Sequence, residues 1–257
     1  MAKLSMAVIS LIAVLLLNSD LLLAADSINP ATNQAAISDN GNYCSLVNQW
    51  LSGNVKVNAD AAKDLGISYK KGECGLDVNY GEAYKWYKVA YDLGYEDIAN
   101  NIAGLYMTGG NGLPQDTKIG TQWLITSYSK DKSARTAFNI GLAYESGGPN
   151  LLQDYSEAVK WWKIAAGKGH LTAQNNLGYL YLNGKGVKIN EKESFKYFSM
   201  AASQGDTGGI CNLANLYATG RGTKKNLKKA KELAKKGFDA GEEYCKVVWD
   251  HYDLANK

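Results

Sequence analysis

Residues 173–205 read AQNNLGYLYLNGKGVKINEKESFKYFSMAASQG, and the pattern in this stretch occurs five times along the chain. Leu177 is followed directly by the small residue Gly178, four residues later by Tyr181 and seven residues later by Gly184. The tyrosines at this place in the five copies are 36 to 38 residues apart: Tyr69, Tyr106, Tyr144, Tyr181 and Tyr217. A fixed period of this length is typical of supersecondary units that stack along a chain.

The second half of the quoted stretch repeats in the same way. Ser194 is followed after three residues by Tyr197 and after seven by Ala201. The residues in place of Tyr197 in the other copies are Trp86, Trp123, Trp161 and Leu233. Apolar and small residues three and four apart form one face of a helix, so each copy predicts two amphipathic helices. We expect the small residue beside the leucine to admit the second helix closely, with the aromatic residue filling the gap.

One such helical pair buries too little apolar surface to be stable by itself, and the pairs must therefore stack. The sequence predicts an all-α fold, a right-handed α-solenoid of five two-helix units in residues 58–241. Residues 26–57 fit no unit and are predicted to form a tail and a short capping helix. Residues 242–257 are predicted to form a closing helix.

The pattern from Ala173 to Gly205 resembles the Sel1-like repeat, a relative of the tetratricopeptide repeat, and the resemblance extends over about residues 58–241. It implies a stack of helical hairpins in which the first helix of each unit lines a concave side. By similarity to tetratricopeptide repeats, the candidate partner-binding residues on that side are Asn100, Met107, Phe138, Leu142, Glu145, Asn175, Tyr179, Asn183 and Asn215.

These side chains suit the recognition of a peptide segment or a loop of another protein, because they combine amides with Met, Phe and Tyr. We expect Phe138, Leu142 and Tyr179 to form an exposed cluster that would be costly to leave bare. The alternative interpretation is a polar stripe facing solvent. The predicted function is a protein–protein interaction scaffold or adaptor. The alternative is an immunity protein that neutralises a secreted toxin, since some toxin–immunity systems use Sel1-like proteins.

Residues 1–25 have the layout of a secretory signal peptide. Lys3 precedes an apolar run from Leu4 to Leu17, and small residues stand before a predicted cut after Ala25. The run of about 14 residues is short of the roughly 20 that cross a bilayer, which disfavours a retained anchor. We therefore predict a periplasmic or secreted protein.

The cysteine count supports the same compartment. An even number of cysteines in an exported chain suggests two disulfides, and of the three pairings we choose the two local ones, Cys44–Cys74 and Cys211–Cys245. Each would clamp one end of the stack. Zinc is the alternative, but the chain has no Cys-x-x-Cys pair and no histidine at ligand spacing. No metal and no cofactor are therefore expected.

The residues of the sequence also give little support for a catalytic function. Some cysteine-rich Sel1-like proteins have been described as penicillin-binding or β-lactamase-like, and such enzymes have a Ser-x-x-Lys pattern. This pattern begins at Ser68, Ser127 and Ser129, about as often as chance predicts. The Lys-Thr-Gly element that accompanies Ser-x-x-Lys in those enzymes does not follow any of the three. The two histidines, His170 and His251, are expected to be surface or capping residues. We predict that the protein is not an enzyme and has no catalytic residues.

The distribution of charge gives one further candidate for an interaction surface. The net charge of +3 is too small to indicate a nucleic-acid binder. Residues 221–236, however, carry eight basic residues against one acidic residue. This stretch predicts either a weak contact with an anionic surface or simply the solvated outer face of the last unit.

Overall fold

The computed structural model describes residues 40–252, which form twelve α-helices and one short 3₁₀ helix and no β-strand. The predicted signal peptide, most of the predicted N-terminal tail and residues 253–257 lie outside this part. The helices are α1 (Asn40–Leu51), α2 (Ala59–Lys71), α3 (Tyr80–Asp92), α4 (Ala99–Thr108), α5 (Thr117–Asp131), α6 (Ala134–Ser146), α7 (Tyr155–Gly167), α8 (Leu171–Asn183), α9 (Glu191–Ser203), α10 (Thr207–Thr219), α11 (Leu227–Asp239) and α12 (Glu243–His251).

The chain divides into two compact parts, each larger than a single repeat, which we call the first and the second unit. The division falls inside α5. One unit extends to Ser127 and includes Pro149–Leu151, and the other comprises Tyr128–Gly148 and the residues from Leu152 onward. Within each unit, helices that follow one another in the chain pack as antiparallel pairs, such as α2 with α3 and α8 with α9. The prediction of an all-α solenoid fold made of two-helix repeats is confirmed.

Polar caps begin the helices of most repeats. Before the second helices, the side chains of Asn79, Asp154, Asn190 and Asn226 each accept a hydrogen bond from the backbone N–H three residues later. These bonds satisfy donors that an α-helix leaves unpaired at its N-terminus. At the other end, Gly184 takes a left-handed backbone conformation and donates its N–H to the Leu180 carbonyl, which ends α8.

Close helix approach depends on the small residue that follows the leucine or isoleucine of each first helix. A Cβ added to Gly178 would lie 2.6 Å from two ring atoms of Phe198, and a Cβ on Gly141 would lie 2.4 Å from the Trp162 ring. Gly66 has the same relation to Tyr87. The rings of these aromatic residues are completely or almost completely buried. In each pair the ring of the second helix thus occupies the space where the first helix has no side chain.

The aromatic residue that fills the gap is one position later than the sequence pattern predicted. Trp86, Trp161 and Tyr197 are only half-buried, whereas their C-terminal neighbours face the partner helix. The buried position also varies in size with its counterpart. Where the first helix has an alanine, at Ala103 and Ala214, the second helix places the smaller residues Leu124 and Ala234 there.

Both disulfides join the pairs chosen from the sequence. Cys44–Cys74 ties α1 to the loop after α2, and Cys211–Cys245, the C-terminal disulfide, ties α10 to α12. The C-terminal disulfide is buried beside Gly237, where a Cβ would lie 2.1 Å from the Cys245 sulfur. The other repeats have Ala or Ser at this place, so the glycine makes room for the sulfurs.

Candidate functional site

The candidate surface of the first unit lies on α4. Asn100 is exposed, as expected, but Met107 is half-buried. Its side chain lies at Gly120 of α5, where an added Cβ would be 3.0 Å from the Met107 Cγ. Met107 therefore helps to pack α4 against α5, and little of it is available to a partner.

The expected exposed cluster of Phe138, Leu142 and Tyr179 does not form. The Phe138 ring stacks on His170 with ring centroids 4.3 Å apart and on Trp162 at 6.1 Å. Leu142 also packs against the core of the second unit. Both side chains are half-buried, and of the three only Tyr179 is exposed, with 40% of its surface accessible. The sequence pattern placed them correctly on the first helices but did not reveal the ring of His170 above Phe138.

The His170 ring, which covers Phe138, is held in place by a helix cap. Its Nδ1 accepts a hydrogen bond from the backbone N–H of Ala173 at 3.3 Å and so caps α8. An imidazole that accepts through Nδ1 is neutral, with its proton on Nε2. Burial, and secondarily the nearby positive charge of Arg135, lowers the pKa of His170. Of the two roles expected for His170, surface or capping residue, the structure shows the capping role.

A cluster that the sequence reading missed surrounds Lys185, in the loop after α8. Its ammonium group lies 5.2 Å from the ring centroid of Tyr155 and 5.4 Å from that of Tyr179, within the range of cation–π attraction. Burial raises the pKa of Glu145, and the positive charge of Lys185 opposes that rise. Two aromatic faces and a charged pair therefore meet near the loop end of α6 and α8. We call Glu145, Tyr155, Tyr179 and Lys185 the lysine–tyrosine cluster.

Amide side chains connect consecutive first helices of the second unit. The Asn212 amide donates to the Asn175 Oδ1 at 2.9 Å, and the Tyr252 hydroxyl donates to the Asn215 Oδ1 at the same distance. The residues of each pair are 37 positions apart, which is the repeat period. The sequence reading missed Asn212 and Tyr252, although the period could have identified them as partners of Asn175 and Asn215. These residues and Asn183, whose amide donates to the Tyr179 carbonyl, form what we call the amide row.

The first serine–lysine pair, Ser68 and Lys71, makes its contacts to other groups. Ser68 is completely buried and donates its hydroxyl to the Asp64 carbonyl at 3.0 Å, and the Lys71 ammonium lies 3.8 Å from Glu73. Ser127 is also buried. Within residues 40–252, no group of three or more His, Cys, Asp and Glu side chains is placed to hold a metal ion. The surface chemistry described so far is that of hydrogen bonding and aromatic contact.

Stacked two-helix repeats of this kind define a class of repeat proteins that are generally non-catalytic scaffolds for binding other proteins. The Sel1 repeat family matches five segments, which together cover more than half of the chain: residues 59–95, 99–131, 134–170, 171–206 and 209–242. The chain belongs to the Sel1 repeat family, whose repeats generally mediate binding to other proteins.

Among relatives, the chain is 30% identical over 149 residues to the chitin synthase regulator SKT5 of Saccharomyces cerevisiae, covering 55% of this chain and 21% of that protein. It is 27% identical over 148 residues to the cytochrome c oxidase assembly factor 7 of Xenopus tropicalis, covering 54% of this chain and 64% of the relative. The match therefore spans only part of each relative, and their individual activities do not transfer to this chain.

Two solved structures share the fold. One is c5321, a protective antigen present in uropathogenic Escherichia coli strains, with a TM-score of 0.62, 25% identity and coverage of 85% of this chain and 50% of that one. The other is a Sel1 repeat protein from Oxalobacter formigenes, with a TM-score of 0.59, 23% identity and coverage of 86% and 87%. The first of these structures is itself described as displaying an SLR fold.

Proposed function

We propose that the protein is an exported scaffold that binds a segment of another protein on the first-helix face of its second unit. The binding surface consists of the amide row and the lysine–tyrosine cluster. The observation that carries the proposal is the exposed ring of Tyr179, which lies beside Lys185 and on the same helix as Asn175 and Asn183, while Phe138 and Leu142 of the preceding first helix are half-buried.

The chemistry of this face suits a polypeptide. A carboxamide offers both a donor and an acceptor, so it can pair with the N–H and C=O groups of an extended main chain. Lys185 is the one cation of the cluster, and its position against two rings restricts its side chain before a partner arrives. A partially desolvated ammonium group of this kind would attract an acidic side chain. Because the face is held by packed helices, little conformational entropy is lost on binding.

Export is supported by the two disulfides, which persist in oxidising compartments and are rare in the cytosol. No helix in the described part of the chain is long and apolar enough to cross a membrane. The leader-like sequence at residues 1–25 agrees with export. Fractionation of cells that express the full chain, with mass determination of the N-terminus, tests this part of the proposal.

Site-specific photo-crosslinking tests the binding face. A photoreactive phenylalanine at Tyr179 is expected to crosslink to a discrete partner band in the native envelope. The matched control is the same group at Ile164 on the outer side of α7, which has similar exposure, 37% against 40%. Replacing Asn175 and Asn183 with alanine should abolish the Tyr179 crosslink. Equal crosslinking from both positions would refute the assignment of this face.

A further inference from the structure

A second surface of the molecule is strongly charged and takes no part in the first-helix face. Six exposed lysines lie on α11 and in the loop before it: Lys224, Lys225, Lys228, Lys229, Lys235 and Lys236. Two acidic residues, Glu232 and Asp239, lie on the same outer side of α11, and Asp239 pairs with Lys235 at 2.7 Å. We call this surface the lysine face.

Three of the other four repeats share one charge pattern on the outer side of the second helix; the second repeat has Ile119 and Gln122 at the same places. In α3, α7 and α9 the third residue after the N-cap is a glutamate that pairs with a lysine three residues later. The pairs are Glu82–Lys85 at 2.6 Å, Glu157–Lys160 at 2.5 Å and Glu193–Lys196 at 3.5 Å. In α11 the order is reversed, because Lys229 stands at the glutamate place and Glu232 at the lysine place.

This reversal opposes helix stability. The N-terminus of a helix carries partial positive charge, which favours glutamate and disfavours lysine in the first turn. The first turn of α11 has no acidic residue, whereas α3, α7 and α9 each have at least one. The first turn of α5 also lacks an acidic residue but has only one lysine, Lys118, where α11 has the adjacent pair Lys228 and Lys229. A sequence that departs from its own repeat in an unfavourable direction indicates that positive charge at this surface serves a purpose other than folding.

We propose that the lysine face binds the surface of an anionic phospholipid membrane. Lysines are mobile point charges, which suit a diffuse layer of headgroups better than the planar fork of arginine does. The one arginine of this stretch, Arg221, is held by Glu191 at 2.6 Å and by the Leu182 carbonyl. Phe238, three residues after Lys235, is 44% exposed, and an aromatic ring beside lysines is typical of helices that lie on a membrane surface.

Vesicle cosedimentation tests the proposal. The full chain is mixed with vesicles of phosphatidylcholine containing about one third phosphatidylglycerol, and with pure phosphatidylcholine vesicles. The test variant replaces four lysines with glutamine: Lys225, Lys228, Lys229 and Lys236. It should weaken binding to the anionic vesicles at least about thirtyfold, which assumes about half of the usual contribution per lysine. Raising the salt concentration should release the unmodified protein.

The control variant removes the same charge from lysines that form ion pairs on the other second helices: Lys85, Lys88, Lys160 and Lys196. It should bind almost as tightly as the unmodified protein. Circular dichroism tests whether both variants are folded. If the fourfold variant is not, the double variant Lys228→Gln, Lys229→Gln replaces it in the binding test. Equal loss of binding in test and control variants, or absence of binding to anionic vesicles, would overturn the proposal. So would binding of soluble polyglutamate as tight as vesicle binding, since this would identify an acidic protein as the partner.

Discussion

The substitution Gly178→Ala tests whether glycine is required for the close approach of α8 and α9. The new methyl group would lie 2.6 Å from the Cδ1 and Cε1 atoms of Phe198, well inside van der Waals contact. The Phe198 ring is completely buried and belongs to a packed core cluster. The helices must therefore separate or the ring must leave its rotamer.

Two opposing effects set the size of the result. Replacing glycine by alanine inside a helix stabilises it by about 1 kcal/mol. Overpacking a buried contact costs about 1–3 kcal/mol, and a clash with two ring atoms belongs at the upper end of that range. We expect a net destabilisation of about 1–2 kcal/mol, which lowers the midpoint of thermal unfolding by about 3–6 °C for a chain of this size.

The assay is thermal and urea unfolding followed by circular dichroism, with Gly104→Ala as the matched control. Gly104 also lies inside a first helix, α4, but nothing stands within 4 Å of its added Cβ. Gly104→Ala should therefore stabilise the protein by about 0.5–1 kcal/mol. The same chemical change thus has opposite signs at the two positions.

A double variant separates the clash from other effects. Gly178→Ala with Phe198→Leu reproduces the pair that the second repeat has at Ala103 and Leu124. It should be more stable than the sum of the two single changes by at least about 1 kcal/mol. Should Gly178→Ala stabilise the protein as Gly104→Ala does, or should the two changes be additive, the packing argument would be refuted.

Three further changes follow from particular contacts. His170→Asn should preserve the helix cap but reduce the loss of thermal stability between pH 7.5 and 5.5. Burial lowers the pKa of His170, so its contribution is present above the unfolded value and is lost as the pH falls. Gly237→Ala should strain the C-terminal disulfide and lower the unfolding midpoint measured without reductant. Ser194→Ala should leave stability unchanged or raise it by about 1 kcal/mol in urea unfolding, because the buried hydroxyl has no hydrogen-bond partner.

Each of these changes has a control. His251→Asn should retain the full pH dependence, since His251 is exposed, and an unchanged pH profile in His170→Asn would contradict the linkage. Gly237→Ala should cost less when Cys211 and Cys245 are both replaced by alanine. An equal cost in both backgrounds would mean that the glycine serves another contact. A marked destabilisation by Ser194→Ala would indicate that the hydroxyl is bonded in solution.

The fold could be predicted because its signal is periodic. Five copies of the pattern of leucine or isoleucine, small residue, tyrosine and glycine predict the two-helix unit without any knowledge of contacts. The disulfide pairing could also be predicted from the sequence, because each disulfide joins two cysteines that are near each other in the chain. The sequence also shows that a large residue such as Phe198 accompanies a glycine such as Gly178 on the partner helix. This was missed because the residue one position earlier, Tyr197 in this repeat, is aromatic in more of the repeats and was predicted to fill the gap.

The candidate site was predicted only in part. Asn100, Asn175, Asn183 and Asn215 were identified from their repeat register alone, and their role in binding remains a prediction. The loop residue Lys185 was missed because loop residues have no helical face from which a position can be assigned. Its neighbours Tyr155 and Tyr179 come from different helices, and only folding brings their rings to the ammonium group.

The sequence by itself determined the class of fold, the length of the repeat and the helix that each residue belongs to, because helical periodicity and glycine turns are local properties. Only the tertiary structure decided which side chains on the first helices are accessible. The stacking of His170 on Phe138 and the packing of Leu142 involve neighbouring helices. Burial is a property of three-dimensional neighbours, and one helical face can present a residue equally to solvent or to the next helix.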